Sequence, residues 1–82
     1  MKTYENDIWI EANIVFDLET GKTTQVFMLA SHEADASTFS RADADTYLLF
    51  VKRRAPGIAW SIEASKQRPE LFVIRGVQRV DI

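Results

Sequence analysis

From Ile8 to Phe16 the chain alternates apolar and mainly polar positions. Ile8, Ile10, Ala12, Ile14 and Phe16 occupy one register, and Trp9, Glu11, Asn13 and Val15 the other. A period of two is the signature of a strand with one face on a core, and the β-branched and aromatic content agrees with it. The pattern predicts that the Ile8/Phe16 set faces inward. Glu19-Thr20-Gly21-Lys22 follows, and a glycine able to take positive φ at that point predicts a hairpin. The returning strand is expected over Thr23–Ala30. Both of its faces are apolar, which predicts a central strand or one covered on both sides.

Ser31 to Phe39 is small and polar and reads as a loop. A helix is predicted from Ser40 to the residue before Pro56. The Ser40 hydroxyl can cap the amide of Asp43, and Lys52, Arg53 and Arg54 suit the negative helix end. Ala44, Tyr47, Leu48, Val51 and Ala55 form the inward stripe, while Leu49 and Phe50 fall outside it. Pro56-Gly57 stops the helix. Ile58, Trp60, Ile62 and Ala64 alternate again as a third strand. Lys66–Pro69 turns the chain, and Leu71 onward forms a fourth strand in which Gly76 interrupts the alternation as an expected bulge. The expected fold is one α+β domain over residues 1–82: a four-stranded, mainly antiparallel sheet in ββαββ order, one face covered by the helix. Ile10, Ile14, Leu48, Val51, Trp60, Ile62, Phe72 and Ile74 are the expected core.

An 82-residue chain buries a modest share of its surface, and this one has no cysteine and a single histidine. Disulfides and thiolate or His-rich metal sites are therefore not available to it. Dense packing or self-association must supply the stability, which leads to the expectation of a homodimer. The amino-terminal residues lack the apolar run of a signal peptide, and no apolar stretch is long enough to span a bilayer, so a cytoplasmic protein without a membrane partner is expected.

Charge is divided along the chain. Up to Tyr47, three basic residues (Lys2, Lys22, Arg41) meet nine acidic ones (Glu5, Asp7, Glu11, Asp17, Glu19, Glu33, Asp35, Asp43, Asp45). From Leu48 on, seven basic residues (Lys52, Arg53, Arg54, Lys66, Arg68, Arg75, Arg79) meet three acidic ones (Glu63, Glu70, Asp81). The halves could neutralise each other within one sheet, or the second could form a nucleic-acid or acidic-partner patch. The net charge of −2 and low pI differ from the clearly basic character of most nucleic-acid modules.

No motif points to catalysis, a cofactor or a metal. Gly21-Lys22-Thr23 resembles the end of a phosphate loop, but Phe16 occupies the place of its first glycine. His32, Glu33 and Asp35 share a loop with little to preorganise a metal site. The lone histidine lies in no nucleophile-elbow pattern, and Asp43 and Asp45 diverge on a helix. An enzyme is not expected. Trp9, Val15, Phe27, Leu29, Leu49 and Phe50 remain as surplus apolar side chains. The first four are expected on the sheet face away from the helix, and that face, or the outer flank of the helix, is expected to form a protein interface. The expected function is a non-enzymatic protein-binding module. Small acidic chains of this type include phage or mobile-element inhibitors of host nucleic-acid machines, such as anti-CRISPR proteins, although no motif ties this chain to such a family. The alternative is a nucleic-acid-binding module using the seven basic residues of the second half.

Overall fold

The computed structural model describes residues 2–81. Strand β1 (Thr3–Phe16) and strand β2 (Thr23–Ala30) form the first hairpin, and a turn of 3-10 helix follows at Glu33–Asp35. Helix α1 (Arg41–Arg54) crosses to the second hairpin, β3 (Ala59–Ala64) and β4 (Phe72–Asp81). All pairings are antiparallel, and the strand order is β2-β1-β4-β3. The α+β fold expected from the sequence is the fold observed.

Local signals act as their chemistry requires. Gly21 closes the first turn at φ 70°, and Asp17 accepts amide bonds from Glu19 (2.8 Å) and Thr20 (3.3 Å). Ser40 caps α1 by accepting from the Asp43 amide at 3.2 Å. Lys52, Arg53 and Arg54 occupy its last turn. Residues Thr3 to Asp7, outside the alternation used to predict the first strand, extend β1 toward the amino terminus because β4 supplies a partner for each of them.

The core lies between α1 and one sheet face. Ile8 and Ile10 from β1, Ala44 and Val51 from α1, Trp60 from β3 and Ile74 from β4 are buried there, with Phe39 from the loop. Phe39, expected in a solvated loop, is in the core because its backbone bridges to Phe72 and its ring packs edge-on to Tyr47, centroids 5.1 Å apart. Gly76 is not a bulge. It pairs in register with both Ile8 and Trp60. The missing side chain makes room for the Trp60 ring, since a Cβ there would lie 2.7 Å from Trp60 Cζ3 and 2.7 Å from Ile58 Cγ2. The seated indole donates to the carbonyl of Ala55 at 3.1 Å, tying β3 to the end of α1.

The two central ladders are staggered. Residues 3–9 of β1 pair with β4, and residues 9–16 pair with β2, so Trp9 alone belongs to both. Past Trp9 the β4 side of β1 is taken by the loop: Ser37 donates its amide to the Ile10 carbonyl (3.0 Å), and its hydroxyl accepts from the Ala12 amide (2.8 Å). Beyond Ala12 the first hairpin is a two-stranded ribbon. This stagger overturns the assignment of Ile14 to the core, which is 76% exposed, and that of Phe16 to the inward set, which is also exposed.

Candidate protein-docking site

Strand β2 lies at the sheet edge, not in its centre. That corrects the expectation drawn from its two apolar faces. Edge strands usually carry charge, proline or a bulge that discourages pairing with another chain. Thr23–Ala30 contains no charged residue and no proline, and its eight residues pair with β1 without a bulge.

The ladder geometry identifies which backbone groups are free. Asp17 donates to the Lys22 carbonyl at 2.9 Å, and antiparallel hydrogen-bonded and non-hydrogen-bonded pairs then alternate along the hairpin. Val15↔Thr24, Asn13↔Val26, Glu11↔Met28 and Trp9↔Ala30 are the hydrogen-bonded pairs. The Ser37 bonds to Ile10 and Ala12 on the other side of β1 fix the same phase independently. Thr23, Gln25, Phe27 and Leu29 therefore aim their N–H and C=O groups outward from the sheet.

The register also separates the four expected interface residues. Trp9 and Val15 lie on the face away from α1. Phe27 and Leu29 pair with Ala12 and Ile10 and so lie on the helix side. Counting each strand inward from the turn puts Phe27 opposite Ala12, and the sequence reading had placed it on the wrong side of the sheet. Trp9 is also half-buried rather than an exposed anchor, and its indole N–H is buried without an acceptor among the described residues. On that face Val73 is buried as well, beneath a loop that includes Glu33, Ala34, Ala36 and Thr38.

On the helix side, Phe27 stacks at a tilt on Tyr47 and Phe50, with centroids 5.1 and 5.3 Å apart. Between α1 and β2 runs an apolar groove of about 330 Å³, lined among others by Ile10, Phe27, Leu29, Phe50, Val51, Arg54 and Trp60. Leu29 is 61% exposed at its rim, and Phe50 and Leu49 are exposed on the helix. Val26 and Met28 are exposed on the opposite face of the same strand. Phe50, one of the surplus apolar residues expected at an interface, lines this groove, and Gln25, Val26, Met28 and Arg54, which the sequence pattern does not single out for it, complete the surface. The uncharged run of β2 was its signal.

The basic residues do not form one surface. Lys52, Arg53 and Arg54 end α1 on the helix side, whereas Arg75 and Arg79 project from the opposite sheet face. Arg75 is held by Asp7 and by Glu63 (3.1 Å). The Asp7 hydrogen bond, and then that of Glu63, raises its pKa further above the ordinary guanidinium value. Lys66 pairs with Glu33 at 3.5 Å, and Arg79 lies 3.7 Å from Asp81. Arg68 sits in the turn between β3 and β4, donating its amide to Ser65. Lys52, Arg53 and Arg54 have no ion-pair partner among the described residues.

His32 precedes the 3-10 turn without a side-chain cap bond, and Glu33 is engaged by Lys66. Among the described residues no helix is long and apolar enough to cross a membrane. No protein-family model, curated protein or solved structure matches the chain.

Proposed function

We propose that the protein is a non-enzymatic, cytoplasmic protein-binding module that accepts an extended segment of another protein chain along β2. The observation that carries this reading is the coincidence, on one strand, of a free edge and apolar side chains on both faces. Backbone groups at such an edge provide affinity through strand addition, and the adjoining side-chain groove provides selectivity. Phe27 and Phe50 are the aromatic anchors, and Arg54 at the groove offers a cation to an acidic group on the incoming segment.

Nucleic-acid binding is less favoured, because four of the seven basic residues lie on a different face from the helix-end trio or in a turn, and three of those four already have carboxylate partners. An inhibitor that mimics phosphates needs a free row of carboxylates. On the face away from α1, Asp7 and Glu63 are held by Arg75 and Asp81 lies beside Arg79, which leaves Glu5 and Glu11 without an ion-pair partner among the described residues, a pair rather than a row.

A photo-crosslinking residue placed at Gln25 tests the proposal in the source cell, with the same residue at Ser61 on the opposite edge strand as the control. Cross-linking of a protein chain at position 25 well above that at position 61 is expected. Equal or absent capture at the two positions would overturn the docking role of β2.

A further inference from the structure

We infer that the segment docking on β2 is the β2 strand of a second copy of this chain, joined across a twofold axis at Val26 into a continuous antiparallel sheet. The inference rests on the docking role proposed for β2 and names its occupant. The outward groups of Thr23, Gln25, Phe27 and Leu29 have a self-complementary spacing. With Val26 opposite Val26 of the second copy, Gln25 pairs with Phe27 and Thr23 with Leu29 in both directions. Every outward N–H and C=O of the strand is then used.

Three features select a second copy as the occupant. The strand carries no charge, so like meets like without repulsion. The distal ribbon of β1 and β2 is two-stranded, an arrangement marginal in water by itself, and twofold pairing makes it four-stranded. On its two faces, the exposed Val26 side chains meet at the axis and the Phe27 rings become diagonal neighbours. Charge supplies the third feature. Antiparallel pairing carries the turn of one copy past the Leu29 end of the other. That turn carries the exposed Asp17 and Glu19 against the single cation Lys22, and Arg54 lines the groove beside Leu29. The acidic tip of one copy thereby faces the basic helix end of the other, and the symmetry makes that contact twice.

The test uses the full chain, its Val26→Lys, Val26→Asp and Gln25→Pro variants, and light scattering coupled to size exclusion. The parent is expected at twice its 9.4 kDa mass at high micromolar concentration. Val26→Lys and Val26→Asp each place like charges together at the axis and are expected to weaken the dimer at least tenfold while keeping the parent circular dichroism. Mixing them in equal amounts is expected to restore the dimer by opposite charge. Gln25→Pro removes one outward N–H and no bond of the β1–β2 ladder, so it tests the edge independently of the charged variants. A monomeric parent, or a folded Gln25→Pro chain as dimeric as the parent, overturns the proposal. The crosslinker at Gln25 then separates the two ideas. A monomeric parent that captures a different protein removes the second copy and leaves the docking role, whereas a monomeric parent that captures nothing removes both.

Discussion

Two residues show how much a single side chain, or its absence, decides. Gly76 lies beneath Trp60, and a methyl group there would overlap the indole and Ile58. Gly76→Ala is expected to destabilise the domain by about 1–3 kcal/mol through overpacking, measured by urea unfolding. A variant with the parent midpoint would show that the indole can shift freely. At the other end of the molecule, Asp17 holds the first turn through the amides of Glu19 and then Thr20, and these bonds lower its pKa below the ordinary 3.8. A depressed carboxylate stabilises fully above its unfolded value and loses that contribution as pH falls through the lower folded value. The amide resonances of Glu19 and Thr20 are therefore expected to titrate with a midpoint below 3.8. A midpoint at or above that value would remove the carboxylate from the turn.

At the scale of elements, the stagger of β1 is what separates core from surface. The same strand pairs with β4 through one half and with β2 through the other. Ile10 and Ile14 share a register and a residue type, yet one is 2% and the other 76% exposed. Ile10→Ala is expected to cost about 2–5 kcal/mol, because it removes buried methylenes and leaves a cavity. Ile14→Ala is expected to change stability by less than about 0.5 kcal/mol, as surface substitutions do. Chemical denaturation of both variants checks the contrast, and similar losses would mean that the distal ribbon is covered in solution.

Across the whole molecule, the acidic and basic halves of the sequence meet inside one sheet. β1 brings Asp7 beside Arg75 of β4, and Glu63 of β3 closes on the same guanidinium. Arg75→Leu would leave two carboxylates facing each other across the sheet. The variant is expected to be destabilised, and the loss should shrink as sodium chloride rises, because salt screens repulsion between exposed charges. A loss independent of salt in urea titrations would assign the role of Arg75 to packing of its alkyl stem instead.

Element identities followed from the sequence because they rest on local physics. Alternation, a glycine in the Asp17–Lys22 turn, the Ser40 cap and the Pro56-Gly57 stop each act over a few residues. The strand order did not follow, since β2 reads as a buried strand by its own apolar faces, and its position at the edge depends on where β4 pairs along β1. The same long-range pairing exposed Ile14 and recruited Phe39 and Gly76 to the core. For the site, the apolar residues of β2 were visible in the sequence as a surplus. Which of them share a face was set by register, where one residue's shift exchanges the two sides of a strand. Periodicity within a segment is a property of that segment alone, whereas exposure depends on which other segment lies beside it.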